Sequence, residues 1–267
     1  MNTQFLKTPE GTLAYDDTRG NGEVLLCIPG MGDLRGQYRH LVPELARAGY
    51  RVITLDIRGH GESSTGWTEY TAEAVTRDVF ALLDHLNLQN VTLMGNSFAA
   101  RSVLYAAKQA PERIKRLVML GPVVLNQTLP GYMNLILKMA FAGPWNTAFW
   151  MMYWQSLFPA KKPADHAQYT AKLRQNIQQK GQMDALKAYM APSRINAEAL
   201  LPDIKTPALV IMGTKDPDFK NPALEAQTLA EKLRAELMLV QGSGHYPHTE
   251  FPEQVAPRIL QFLKGQQ

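Results

Sequence analysis

Three features of the 267-residue chain predict an α/β protein built on a mostly parallel sheet. Six short apolar runs recur along it. Helical patterns of apolar residues separate them. The alternation breaks once, over residues 126–202, where only helical patterns occur. Such alternation is the mark of βαβ units, whose right-handed crossovers lay successive strands side by side. A chain of 267 residues suits one α/β domain or a core with an insertion, and it builds an ordinary apolar core without disulfide or metal staples.

The opening segments Gln4–Lys7 and Thr12–Asp16 flank Pro9-Glu10-Gly11, which predicts a small antiparallel hairpin. Glu23–Ile28, Arg51–Ile57, Asn90–Gly95, Arg116–Gly121, Ala208–Gly213 and Ala235–Val240 are the apolar runs. Continuous runs of this length predict strands buried on both faces. Helical spacing of apolar residues marks Tyr38–Ala48, Ala72–Leu86, Ser97–Gln109, Ala223–Arg234 and Gln254–Leu263. Tyr132–Phe158 holds eight aromatic residues and four methionines, with three of the chain's four tryptophans. Asp165–Gln179 and Gln182–Met190 predict more polar amphipathic helices, and Pro192 and Pro202 punctuate the end of the segment. No internal repeat or low-complexity tract occurs.

Composition excludes several classes. With 45% hydrophobic and 19% charged residues the chain is a folded globular protein, not a disordered one. No apolar run approaches the roughly 18 residues that span a bilayer, and no secretory signal pattern opens the chain. The single cysteine, Cys27, rules out an internal disulfide and a Cys-based zinc site, and a reducing, cytoplasmic setting is expected. Net charge is +4 with no long like-charge run, which argues against nucleic acid as partner. The charge is uneven: Asn126–Pro202 has eight basic and three acidic residues, so +5, leaving −1 elsewhere.

The chemistry starts at the third apolar run, which leads straight into Gly95-Asn96-Ser97-Phe98-Ala99 and a helical pattern. Strand, tight turn and helix with serine at the tip lift a hydroxyl clear of the sheet and aim a helix N-terminus at it. Small residues two before and two after are needed because the turn crowds its backbone; Ala99 stands where glycine is usual. By itself the pattern also fits a helix-capping serine. Serine needs a base held by an acid. Two later runs end in Gly213-Thr214-Lys215-Asp216-Pro217-Asp218 and Gly242-Ser243-Gly244-His245-Tyr246-Pro247. Both candidates therefore follow strand C-termini, where open α/β sheets build their sites. The order Ser97, Asp216, His245 is that of a nucleophile-elbow hydrolase.

With Ile28-Pro29-Gly30-Met31-Gly32 and Asp56-Ile57-Arg58-Gly59-His60-Gly61-Glu62-Ser63 added, five motifs in order make the chain resemble the α/β-hydrolase superfamily over nearly its whole length. The resemblance implies an α/β-hydrolase fold with a mostly parallel eight-stranded sheet flanked by helices. It implies a core of 1–125 and 203–267 and an all-helical cap, 126–202, inserted after strand six. Ser97 is then nucleophile, His245 base and Asp216 orienting acid, with the backbone N–H groups of Met31 and Phe98 as oxyanion donors. Pro29 departs from the histidine many members carry there.

Other residues carry competing readings. Asp218 is an alternative acid, or a residue that ends the loop or caps the next helix. His248 reads as a polar loop residue, and His40, His85 and His166 as solvated helix positions. Arg58 and His60 read as supports of the glycine-rich loop, Cys27 as inert core and Ser63-Ser64 as turn chemistry. Trp150, Met151, Trp154 and Tyr246 are candidate walls of an apolar pocket, or core of the cap. The expected function is a serine hydrolase for carboxylic esters of small to medium, largely apolar substrates. A carbon–carbon bond hydrolase, thioesterase, lactonase or perhydrolase would use the same triad, and a receptor-like binder would turn over far below the roughly 1–10³ s⁻¹ of enzymes. No cofactor or metal is implied, a membrane-surface role is not favoured, and a monomer or homodimer is expected.

Overall fold

The computed structural model describes residues 2–126, 139–191 and 196–265. Its eight strands form one sheet: β1 (Gln4–Lys7), β2 (Thr12–Asp17), β3 (Val24–Ile28), β4 (Arg51–Leu55), β5 (Val91–Asn96), β6 (Ile114–Leu120), β7 (Ala208–Gly213) and β8 (Glu236–Val240). The spatial order is β1-β2-β4-β3-β5-β6-β7-β8. The hairpin pairs antiparallel, Phe5 against Ala14, and β2 joins β4 antiparallel; all later pairs are parallel. Ser63 and Ser64 pin the hairpin, their hydroxyls accepting from the Ala14 and Thr12 N–H groups at 2.9 and 2.8 Å.

Strand periodicity of two divides the core. Leu26, Ile28, Leu93, Met119 and Val210 face one side of the sheet, packed with α2 (Ala72–His85), α3 (Ala99–Gln109) and α7 (Pro222–Leu233). Leu25, Cys27, Met94, Val118 and Ile211 face the other, with α1 (Val42–Arg47) and α9 (Pro252–Lys264). Burial pushes the Cys27 thiol pKa up, as expected of inert core. Between β6 and β7 the described residues form α4 (Asn146–Ser156), α5 (His166–Ile177), α6 (Gln182–Tyr189) and a 3₁₀ turn, Ala197–Asp203. They have their own apolar cluster, which includes Leu34 and Tyr246 of the sheet's loops. Tyr132, Met133 and Pro192, singled out in the sequence, lie outside the described residues. No described helix is long and apolar enough to cross a membrane.

Two elements differ from expectation. The helix expected over 38–48 is a 3₁₀ turn, Arg35–His40, followed by α1. Pro43 explains the break, because its ring displaces the carbonyl four residues back and it has no N–H to donate. β8, expected to be buried on both faces, is an edge strand with Glu236 exposed and only Val240 fully buried.

Candidate active site

β5 is buried throughout and ends at Asn96. Ser97 then adopts φ +55° before α3 begins. That left-handed conformation costs a residue with a Cβ about 1–3 kcal/mol and persists only where its surroundings over-determine it. Here the Ser97 N–H donates to Leu120 O at 3.0 Å, and Ser97 O accepts from Ala100 N at 3.1 Å and Val123 N at 3.3 Å. A Cβ on Gly95 would lie 2.7 Å from Ala99 O, which is why a small residue stands there. A Cβ on Gly30 would meet the Ser97 Cβ at 3.0 Å, so the loop after β3 lies directly against the turn.

That loop is held from two sides. The Gly32 N–H donates to His60 Nε2 at 2.7 Å. A backbone N–H can only donate, so Nε2 accepts and the ring is neutral, its proton on Nδ1 facing Arg58 O at 3.3 Å. Burial pushes His60 down to about 4, in agreement. Arg58 itself is locked bidentately on Asp78 at 2.8 and 2.7 Å. From the other side the Trp150 indole donates to Gly32 O at 3.3 Å and fills the space above Gly32, whose φ is +72°. Met31 is half-buried between the core and the helical segment, and Phe98 packs edge-on against Tyr189 at 5.0 Å.

The loops after β7 and β8 bring the imidazole and its carboxylates together. They abut through the Lys215 N–H bond to Ser243 O, 2.8 Å. His245 Nδ1 lies 2.7 Å from Asp216 Oδ2 and 3.5 Å from Asp218 Oδ2. Burial opposes protonation of His245, but the charges of Asp216 and Asp218 and the bond to Asp216 outweigh it and push the ring up to about 9. Ser97 and His245 meet one segment: Leu120 O holds Ser97 N, and a Cβ on Gly121 would lie 2.5 Å from His245 O. Asp216, Asp218 and His245 are also the one described His/Cys/Asp/Glu group close enough to share a metal ion, and their mutual bonds account for it.

Three residues had no signal in the sequence. Glu250, fully buried on α8 (Pro247–Glu250), accepts from Ser243 Oγ at 2.7 Å and from Gly244 N with one oxygen. Its other oxygen accepts from Ala160 N at 3.0 Å and Lys161 N at 3.4 Å, just beyond α4. Asp33, 1% exposed, accepts from Tyr169 OH at 2.6 Å and Leu34 N at 2.7 Å, and burial raises its pKa. Tyr153 on α4 donates to Asp218 Oδ1 at 2.6 Å.

Three expectations are corrected. Asp218 does not cap α7; Asn221 does, accepting from Leu224 N at 3.1 Å. His248 is fully buried and stacks on Tyr38 at 5.4 Å, because α8 turns it inward against the Arg35–His40 turn. His166 is also buried, stacked on Trp154 at 5.2 Å. Trp150, Met151, Trp154 and Tyr246 are all at most 3% exposed and pack in one apolar cluster above the Gly32–Asp33 loop. None of them lines the open cleft of about 720 Å³ between α5 and the 61–65 loop, and neither does Ser97, Asp216 or His245; polar side chains such as Arg35, Glu62, Lys172 and Gln182 do.

Residues 23–252 match the family model described as alpha/beta hydrolase fold. A putative non-heme chloroperoxidase of Synechocystis sp. is 26% identical over 266 residues, covering 94% of each chain. Among solved structures, a bromoperoxidase from Bacillus anthracis superposes with TM-score 0.86 at 25% identity, over 99% of this chain and 100% of the other. A thermophilic esterase from Thermogutta terrifontis gives 0.82 at 25% identity, over 99% and 98%. With its eight-stranded sheet and this match over most of its length, the chain belongs to the α/β-hydrolase-fold family and is an enzyme of that family.

Proposed function

We propose that the protein is a serine hydrolase that cleaves carboxylic esters of small to medium, largely apolar substrates through an acyl-enzyme on Ser97. One observation carries the reading: Ser97 is held at φ +55° on the strand edge where His245 sits on Asp216. Asp216 takes the Nδ1–H, which leaves Nε2 free to accept the Ser97 proton. The Ser97 oxygen attacks the carbonyl carbon, and the N–H groups of Met31 and Phe98 receive the oxyanion, each such donor contributing about 2.7–4 kcal/mol. His245 returns the proton to the leaving alcohol. Water, activated by the same ring, then releases the acid.

Residues 126–202 act as a cap over this edge, and the cluster that its Trp150, Met151 and Trp154 form with Tyr246 of the β8 loop against the Gly32 loop is the apolar wall that meets the acyl group. A cytoplasmic setting and a monomer or homodimer accompany this reading. The likeness to chloroperoxidase and bromoperoxidase relatives favours a second reaction on the same acyl-enzyme: hydrogen peroxide in place of water, giving a peracid.

Intact-mass analysis after treatment with a fluorophosphonate tests the nucleophile without a guess about substrate. Ser97 oxygen bonds phosphorus and fluoride leaves. One adduct per chain, absent in a folded Ser97→Ala variant, is the expected result; equal labelling of both proteins refutes the assignment. An ester chain-length series, with and without peroxide, then separates the two reactions.

A further inference from the structure

We propose that Asp218 is a second positioning carboxylate for His245, held in reserve by Tyr153 of the cap, so that the acid behind the base is a pair under cap control. The inference rests on His245 being the base at Ser97.

The geometry is compact. Asp216 Oδ2 and Asp218 Oδ2 approach the same ring nitrogen, at 2.7 and 3.5 Å. Pro217 fixes the turn between them, and the Asp218 N–H donates to Asp216 Oδ1 at 3.0 Å, so the two carboxylates cannot drift apart. Nδ1 carries one hydrogen and gives it to the nearer carboxylate. At 3.5 Å Asp218 is a neighbouring charge rather than a hydrogen-bond acceptor. A shift of under about 1 Å would make it one. What opposes the shift is the Tyr153 hydroxyl, 2.6 Å from the other oxygen of Asp218. Burial and the Asp218 charge hold the Tyr153 pKa far above its ordinary value, so the phenol stays a donor. Tyr153 lies on α4, whose C-terminal end is bonded to the base itself through His245 N to Leu157 O, 3.0 Å. A cap displacement that withdraws Tyr153 therefore frees Asp218 for the imidazole.

The groups facing His245 are Asp216 and Asp218 from the β7 loop, Asp33 from the β3 loop, and Tyr246 and His248 from its own segment. Tyr153 reaches it through the carboxylates. Asp33 is held by Tyr169 and Asp218 by Tyr153, both cap residues, but of the two only Asp218 lies beside His245 Nδ1 in the loop that carries Asp216.

The test measures fluorophosphonate labelling rates of Ser97 in the full chain. Asp216→Ala is the reference background, because alanine opens space for Asp218, whereas asparagine would donate to Nδ1 and impose the wrong tautomer. In that background Asp218→Asn is expected to slow labelling roughly tenfold further, and Tyr153→Phe to raise it about threefold or more, sizes ordinary for groups in contact. A merely structural tyrosine gives no such rescue. In the otherwise wild-type chain, Asp218→Asn is expected to move the acid limb of the pH–rate profile down by up to about one unit, since the imidazolium loses one of its carboxylates. If neither second substitution changes the Asp216→Ala rate, or the acid limb stays in place, the inference is wrong. Should Asp216→Ala fail to fold, the pH profile of Asp218→Asn decides. Failure of the wild-type chain to label at Ser97 removes the hydrolase reading and the inference together; normal labelling with unresponsive Asp218 and Tyr153 variants removes only the inference.

Discussion

Glu250→Gln isolates the tie between the His245 loop and the helical segment. The carboxylate receives four donors, two on each oxygen. A glutamine keeps one oxygen. One arrangement leaves that oxygen on the Ala160 and Lys161 N–H groups and turns the amide NH₂ toward Ser243 and Gly244; the reverse sets the NH₂ against the two N–H groups instead. In the first, the Ser243 hydroxyl can rotate to accept; the Gly244 N–H cannot. One charge-assisted bond, about 1.5–3 kcal/mol, is lost and one buried donor is orphaned at about 1–3 kcal/mol. Allowing for relaxation, about 2–4 kcal/mol follows, a fall in melting temperature of roughly 5–15 °C for a chain of this size. Gly244 immediately precedes His245, so labelling of Ser97 should slow at least about tenfold, misplacement by 1 Å being able to cost roughly a hundredfold. Calorimetry and labelling kinetics on Glu250→Gln, beside Glu253→Gln, are the assay. Glu253 pairs with Lys161 at the surface, 2.8 Å, where such pairs contribute only about 0.2–1 kcal/mol. A Glu250→Gln protein that melts with the wild type and labels at its rate would refute the reasoning.

Other outcomes follow from the same geometry. Ser97→Gly should abolish labelling yet melt no lower than wild type, because glycine adopts φ +55° freely and the relief of strain offsets its unfolded-state entropy; a clear loss of stability in calorimetry would mean the turn is not strained. Trp150→Ala should lower stability by about 3–5 kcal/mol in denaturant titrations, as for other buried tryptophans, and change the ester chain-length preference as well; unchanged stability would mean that the indole is not packed as core. His248 is pushed down to about 3 by burial, with the charges of Arg39, His245 and His40 adding to it. Its unfolded value lies near 6.5, so the unfolded chain binds a proton that the folded one refuses, and stability falls as pH drops from about 6.5 toward 3. Among the described residues neither ring nitrogen of His248 has a hydrogen-bond partner, so His248→Phe keeps the stack on Tyr38 and should lose less melting temperature between pH 7 and pH 5. An unchanged acid sensitivity would remove His248 as the site of uptake.

Much of the fold is legible in the linear chain because its signals are local. A run such as Val91–Asn96 declares a buried strand by composition alone, and Gly95, Ser97 and Ala99 declare the turn by size. Asp216 and His245 are found by position, each just past a strand end. Where the local signal is ambiguous, the reading slips: Ala235–Val240 has the composition of a buried strand, but nothing in it records that no further strand covers its outer edge. Pro43 was visible, yet whether it ends a helix or sits in its first turn depends on what Leu41 and Tyr38 pack against.

The linear sequence by itself therefore determined the sheet and where Ser97, Asp216 and His245 fall relative to its strand ends. Only the tertiary structure decided how the site is braced. Glu250 bonds Ala160, 90 residues away, and Tyr153 reaches Asp218 across 65. Asp33 is enclosed by Tyr169 and Trp154 from α5 and α4. A carboxylate in water and one buried among four donors are the same letter in a sequence. What distinguishes them is desolvation and the direction of partners, which exist only once distant segments have packed together.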